Sequence, residues 1–243
     1  MIDLRDATFV TPAGLLAIVS FAHSCMKDGR NVRFHRPSSV SVASYLSRTR
    51  LGRRLGAVGV QHDLFAVNEH AVGLGLLEVT SFTSTSGADR LAQHVESVVS
   101  KTDGETARTI YKAIVALGEN VEAHSEQTYG YAAAQQLQNS FHFAVADPGV
   151  GFRHALRAHS PETDSAALEL ALQPGISGLS AAGRGYGLEE LRRAIQKLGG
   201  SFRLRSGTGV VDVGPQGGLA RTDRVASLAG SVLEGSIPTG PTR

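Results

Sequence analysis

The chain has 243 residues, of which 42% are hydrophobic and 19% are charged, so it can bury a sizeable core and does not have the composition of a disordered protein. With 24 Lys and Arg against 22 Asp and Glu, its net charge of +2 does not call for a nucleic-acid partner. Cys25 is the single cysteine, which excludes a disulfide framework and a four-cysteine metal site. No segment approaches the roughly 20 apolar residues of a membrane span, and the N-terminus lacks signal-peptide features. These observations predict a soluble, cytoplasmic protein without a membrane partner.

The first 57 residues alternate extended segments with helices. An extended start over residues 2–10 precedes Thr11 and Pro12, which suit the N-cap and the first position of a helix. That helix is predicted to end at Asp28, and a short strand and a second helix follow it. This strand–helix–strand–helix order is typical of an α/β layer.

An arginine-rich stretch comes next, with four arginines within seven residues: Arg48, Arg50, Arg53 and Arg54. It fits a solvated helix end or a linker, and it also fits a docking patch for an acidic partner. The glycines of the same stretch, Gly52, Gly56 and Gly59, indicate a hinge between two units.

The remainder of the chain reads as a larger α/β region. Period-two patterns predict strands at 76–82, 129–137, 141–146, 201–204, 210–213 and 232–237. Helical spacing of apolar residues predicts helices at 88–101, 106–123, 162–173 and 188–198.

Two polar motifs follow in order along this region. Asn120 and His124 are four residues apart on the 106–123 helix, so they share one face of it. Asp147 comes directly after a buried strand and is followed by Gly149 and Gly151. A carboxylate at a strand end beside two glycines lets an amino group approach both the side chain and the backbone, although Asp and Gly are also ordinary turn residues.

A glycine cluster at 183–188, with the sequence GRGYGL, opens the 188–198 helix. Glycines at this place allow backbone N–H groups to point at phosphate oxygens, and the start of a helix adds partial positive charge. Each of the three motifs is a weak signal alone.

In this order the motifs resemble the N box and the two glycine boxes of the GHKL ATP-binding domain, which DNA gyrase and the histidine kinases share. The resemblance covers roughly residues 75–238. It is supported by residues 167–175, by residues 183–207, which are similar to a segment of the anti-sigma-factor serine kinases, and by the closing strand at 232–238. It implies a Bergerat-type fold, a two-layer α/β sandwich in which helices cover a mixed sheet.

The resemblance also implies the ligands, ATP and Mg²⁺, and the residues that bind them. Asn120 would coordinate the Mg²⁺ that bridges the phosphates, and Asp147 would accept a hydrogen bond from the adenine amino group. Gly149 and Gly151 would make room for the base. Gly183, Gly185 and Gly187 would wrap the phosphates, and Leu188 would continue into the helix. His124 would lie near the phosphates or the ribose, or be an ordinary histidine at a helix end. Arg184 would reach phosphate or solvent, and Tyr186 completes the ATP-binding set.

One position departs from the catalytic members of the family. A Glu often stands one helical turn before the Asn and serves as a base, whereas this chain has Ala116 there, and a methyl group cannot accept a proton. Glu119 neighbours Asn120 and faces about 100° away on an ideal helix. We therefore assign no catalytic residue, and protein kinase activity stays open.

The N-terminal segment resembles part of a STAS domain, the fold of the anti-sigma-factor antagonists, through residues 2–22 and 28–37. Pro12 stands where that family has its phosphorylated Ser. We divide the chain into a partial STAS-like unit at 1–57, a linker at 58–74, the ATP-binding domain at 75–238 and a frayed tail at 239–243.

These resemblances predict an ATP-binding regulatory protein of bacterial signalling or partner switching, and they leave kinase activity toward Ser, Thr or His of a partner open. The expected partner is a STAS-type or sigma-factor-like protein, and a homodimer is compatible with the reading. The alternative is a non-catalytic interaction module in which the nucleotide is structural or absent.

Overall fold

The computed structural model describes most of the chain. The described residues are 1–66, 76–82, 85–99, 104, 107–111, 114–115, 130–176 and 187–239.

The N-terminal unit is built around a small parallel sheet. Its elements are β1 (Ile2–Asp3), α1 (Pro12–Lys27), β2 (Arg33–His35), α2 (Val40–Arg48), α3 (Leu51–Ala57) and β3 (Gln61–His62). Both β1 and β3 pair with β2 in parallel, so β2 is the central strand. The predicted start of α1 is confirmed, because the Thr11 hydroxyl accepts a hydrogen bond from Gly14 N at 3.1 Å and Pro12 opens the helix.

A seven-stranded sheet forms the centre of the molecule. Its strands are β4 (Leu76–Phe82), β5 (Gly130–Leu137), β6 (Ser140–Asp147), β7 (Ser201–Gly207), β8 (Gly209–Val213), β9 (Leu219–Thr222) and β10 (Leu228–Pro238). They lie in the order β4-β5-β6-β10-β7-β8-β9. All the pairings among the described residues of this sheet are antiparallel, so the predicted mixed sheet is wrong for this part of the chain. Short turns join β5 to β6 and β7 to β8, and such turns can only connect antiparallel strands.

Helices cover one face of this sheet, which we call the helix face. They are α4 (Thr85–Val99), helical residues at 107–111 and 114–115, α5 (Phe152–Ala155), α6 (Asp164–Ala171) and α7 (Gly187–Lys197). The core on this side contains Phe141, Phe143 and Val145 of β6 together with Leu168 of α6 and Leu191 of α7. The described helices and strands thus confirm an α/β sandwich.

The N-terminal unit packs on the opposite face of the large sheet, which we call the back face. Here α1 lies against Ala133 of β5 and against Ala144 and Ala146 of β6. These small side chains allow the helix to approach the sheet closely, and Leu16 of α1 is fully buried. Within residues 75–238 the described helices and the large sheet form the predicted two layers, and the N-terminal unit covers the second face of that sheet.

The arginine-rich stretch spans the end of α2 and the helix α3. Arg48 is the exposed last residue of α2, as predicted for a solvated helix end, whereas Leu51 and Leu55 of α3 are fully buried, so α3 is neither a hinge nor a linker. Arg54 donates hydrogen bonds to Val79 O at 2.8 Å and to Ser81 Oγ at 2.9 Å, and Arg50 pairs with Glu78 at 2.7 Å. Two arginines thereby fasten the N-terminal unit to β4, an edge strand whose free backbone would otherwise be exposed.

The predicted boundaries shift at both ends. Residues 58–66, assigned to the linker, belong to the N-terminal unit, because β3 lies there and Val60 and Leu64 are buried in its core. Thr239, assigned to the frayed tail, donates its backbone N–H to Asn139 O at 2.8 Å. Within the described part of the chain, no helix is long and apolar enough to cross a membrane.

Candidate functional site

The candidate site lies at the end of the large sheet where β6 finishes. Side chains alternate between the two faces of a strand. Because Phe141, Phe143 and Val145 belong to the helix-face core, Asp147 also projects from the helix face. A carboxylate is thus placed at the rim of the sheet on the side that the helices cover.

The loop after β6 holds this carboxylate in place. Asp147 Oδ1 accepts a hydrogen bond from Gly149 N at 2.8 Å. A Cβ at position 149 would come within 2.9 Å of the same oxygen, so a larger residue would disturb the carboxylate. Gly151 has a φ of +77°, which glycine adopts without strain. The two glycines of the motif therefore have distinct structural roles around Asp147.

Ser206 of β7 and Gly230 of β10 pack against the loop that follows β6. The Ser206 hydroxyl donates to Gly230 O at 2.7 Å and accepts from Phe152 N at 3.1 Å. A Cβ at Gly151 would come within 2.7 Å of that hydroxyl, and a Cβ at Gly230 would overlap the carbonyl oxygen of Asp147. The loop, β7 and β10 are consequently packed so closely that only glycine fits at the contact points.

Ser231 of β10 completes the polar rim. It pairs directly with Asp147 in the antiparallel register of β10 and β6. Residues paired in this way project from the same face of a sheet. The site thus presents a carboxylate and a hydroxyl next to each other on the helix face.

The start of α7 lies toward the same end of the sheet. The helix leads through Gly200 into β7, and Gly200 packs against Ser236 O, at the far end of β10 from Ser231. The helix α7 contacts β7 and β10, and its last turn lies at the Ser236 end of β10. Its first residues, Gly187 and Leu188, therefore lie toward the Asp147 end of the sheet. Leu188 is buried in the helix-face core, which fixes the first turn of α7.

Several predicted site residues lie outside the described residues, and their assignment stays a prediction. They are Asn120, His124, Gly183, Arg184, Gly185 and Tyr186, and Ala116 lies there too. Among the residues that the structure does describe, no group of three or more His, Cys, Asp or Glu side chains could hold a metal ion. The structure therefore brings together Asp147, Gly149 and Gly151, with Gly187 and Leu188 toward the same end of the sheet.

The sequence reasoning missed Ser206 and did not assign Ser231 to the site. Ser231 follows Gly230 at the start of the predicted closing strand, and its pairing with Asp147 depends on the strand order. No sequence motif marked Ser206, because its role is to form hydrogen bonds with the loop after β6 and with β10. Only 3% of its surface is exposed.

The back face carries polar contacts behind the same strands. Tyr131 Oη and His23 Nδ1 of α1 are hydrogen bonded at 2.9 Å, and Tyr131 pairs with Ala146, the residue before Asp147. Burial and the nearby Lys27 lower the pKa of His23. Glu234 of β10 is hydrogen bonded to Thr11, and burial raises the pKa of its carboxyl. The N-terminal unit thus contacts the strands that carry the site.

Comparisons with protein-family models and with curated proteins returned no match to this chain.

Proposed function

We propose that the chain binds ATP with Mg²⁺ at this end of the large sheet and acts as a regulatory protein of the GHKL type. The observation that carries the proposal is the placement of Asp147 opposite Ser231, in a rim that glycines hold tightly. The order of the sequence motifs supplies the rest of the argument.

The rim has the chemistry to recognise an adenine ring. An ionised carboxylate only accepts hydrogen bonds, and the adenine amino group donates them. Guanine presents a carbonyl oxygen at the corresponding ring position, which a carboxylate repels. The Ser231 hydroxyl can either donate or accept, so it can serve a second ring position. This combination favours ATP over GTP.

The phosphate end of the site rests on the sequence motifs. Gly187 begins α7, where backbone N–H groups and the helix dipole favour negative charge. The resemblance assigns the preceding glycines to the phosphates and Asn120 to Mg²⁺. Amide oxygens suit this ion, which would neutralise phosphate charge when bound.

The role of nucleotide binding would be regulatory. The N-terminal unit packs on the back face of the strands that carry Asp147 and Ser231. A shift of these strands on nucleotide binding would therefore act on the N-terminal unit through direct contact. A STAS-type or sigma-factor-like protein is the proposed partner. Ala116 in place of the usual base argues against efficient phosphoryl transfer, although positioning and electrostatics supply much of that reaction. In the alternative, a non-catalytic interaction module, the N-terminal unit packs on the large sheet in the same way.

Thermal unfolding with separate nucleotides tests the proposal. A ligand present at 100 times its Kd stabilises the folded state by about 2.7 kcal/mol. We expect ATP with Mg²⁺ to raise Tm, GTP to raise it much less, and EDTA or Asn120→Ala to reduce the effect of ATP. An equal response to ATP and GTP, or none to either, would contradict the proposal.

A further inference from the structure

Among the described residues, no helix covers one of the two faces of the small parallel sheet. The connections β1–α1–β2 and β2–α2–α3–β3 advance in one direction along the sheet, and right-handed connections then lie on the same side. That side is the packed one, where Phe34 of β2 is 1% exposed. Parallel sheets are normally covered on both faces, so an exposed second face is unusual.

The register identifies the residues on the second face, which we call the outer face. Asp3 pairs with His35, and Arg33 pairs with Gln61, while Arg33 and His35 are two residues apart on β2. Asp3, Arg33 and Gln61 are exposed. Arg33 donates to Gln61 Oε1 at 3.2 Å, so its guanidinium lies across the sheet beside a neutral partner.

The charge of the N-terminal unit is opposite to that of the rest of the chain. Residues 1–66 contain nine Lys and Arg against four Asp and no Glu, whereas the remaining residues contain fifteen against eighteen. Two of the four aspartates are already neutralised, because Asp3 pairs with Arg5 at 2.6 Å and Asp28 with Arg30 at 2.7 Å. Arg33 thus contributes a positive charge at the centre of the outer face.

We infer that the outer face is a docking surface for an acidic segment of a partner protein, centred on Arg33. Charge complementarity selects an acidic partner over a basic or apolar one. Of the four outer-face residues Asp3, Arg33, His35 and Gln61, His35 alone has an aromatic ring, so the face offers no series of stacking side chains for single-stranded nucleic acid. The inference does not depend on nucleotide binding.

Fluorescence anisotropy with labelled octaglutamate tests the inference on the full chain. We expect binding at low salt that weakens as salt is added, because exposed charges are screened. Arg33→Glu should weaken it by roughly threefold to tenfold, the size expected for a surface ion pair turned into a repulsion. Gln61→Glu should act in the same direction, because the new carboxylate would neutralise Arg33. Arg224→Glu, an exposed charge reversal in the large-sheet region, is the matched control.

The inference fails if octaglutamate does not bind, or if Arg33→Glu and Gln61→Glu leave binding as strong as in the control. Tighter binding of an oligothymidylate of equal charge would overturn it in favour of nucleic acid. Amide shifts in an NMR titration provide a second readout. They should be largest at Arg33 and His35, and shifts confined to other parts of the chain would also contradict the inference.

Discussion

Ser231 lies directly opposite Asp147 in the antiparallel pairing of β10 with β6, so both side chains project from the helix face of the sheet. The two residues are 84 positions apart in sequence and meet because β10 inserts between β6 and β7. This pairing creates the polar rim on which the proposed nucleotide site depends.

Removal of the Ser231 hydroxyl should weaken nucleotide binding while leaving the fold intact. One hydrogen bond contributes about 0.5–1.5 kcal/mol, so Ser231→Ala should raise the Kd for ATP by roughly twofold to tenfold. Ser236→Ala is the control, since Ser236 lies on the same strand but pairs with His142, away from the site. Equal affinities of the two variants in a titration with ATP would show that Ser231 does not contact the nucleotide.

Gly230→Ala should destabilise the protein. Its φ is +76°, and a Cβ would overlap the carbonyl oxygen of Asp147, so both backbone strain and a clash with backbone oppose the substitution. We expect the free energy of unfolding in urea to fall by about 2–4 kcal/mol. Gly218→Ala is the control, because a Cβ there meets nothing within 4 Å. A stable Gly230→Ala variant would refute the close packing of β10 against the Asp147 loop.

Arg54→Ala should loosen the attachment of the N-terminal unit to β4. The guanidinium donates to Val79 O and Ser81 Oγ, and hydrogen bonds from a charged group contribute about 1.5–3 kcal/mol. We therefore expect a loss of that order in urea unfolding, together with faster amide exchange in β4. Arg53→Ala, on the exposed side of the same helix, should change neither quantity. Equal behaviour of the two variants would show that the contact is dispensable.

Glu234 should make stability depend on pH. Burial raises the pKa of its carboxyl above the ordinary 4.5, so the folded state retains this proton when the unfolded state has lost it. The contribution of Glu234 to stability is thus present below pH 4.5 and is lost as the pH rises through the folded-state pKa. Glu234→Gln should be more stable than the wild type at pH 7, and the difference should shrink toward pH 4.5.

The groups around Glu234 are Thr11 on α1, Arg203 on β7 and Asp212 on β8, and the latter two pair at 2.6 Å. His23 and His142 have lowered pKa values because of burial, so they remove stability as the pH falls below 6.5. Comparison of Glu234→Gln with the wild type at each pH isolates the carboxyl. The exposed Glu190→Gln is the control, and an identical pH profile in both variants would contradict the assignment.

Local signals predicted much of the element order. The Thr11–Pro12 cap located α1, and the alternating residues around Gln138 and Asn139 located the β5–β6 hairpin. By contrast, β9 was missed because all four of its residues are exposed and carry no alternating apolar pattern. Helix α3 was interpreted as a hinge because of its glycines, whereas its buried Leu51 and Leu55 decide the structure.

The candidate site could be predicted only where its residues are close in sequence. Asp147, Gly149 and Gly151 form one turn, and their local geometry follows from residue type. Ser206 and Ser231 belong to the site through strand order, which the sequence pattern does not specify. The docking of α1 on Ala133, Ala144 and Ala146 was equally hidden, although a row of alanines on adjacent strands indicates a face that receives a helix.

The most direct test of nucleotide binding is isothermal titration of the purified chain with ATP and Mg²⁺, beside the variants Asp147→Ala and Asp212→Ala. The account predicts saturable binding in the wild type, loss of binding in Asp147→Ala, and unchanged binding in Asp212→Ala, whose carboxylate pairs with Arg203 away from the site. Circular dichroism establishes that both variants are folded. Absence of binding in the folded wild type, or equal binding by Asp147→Ala, would contradict the proposed ATP site.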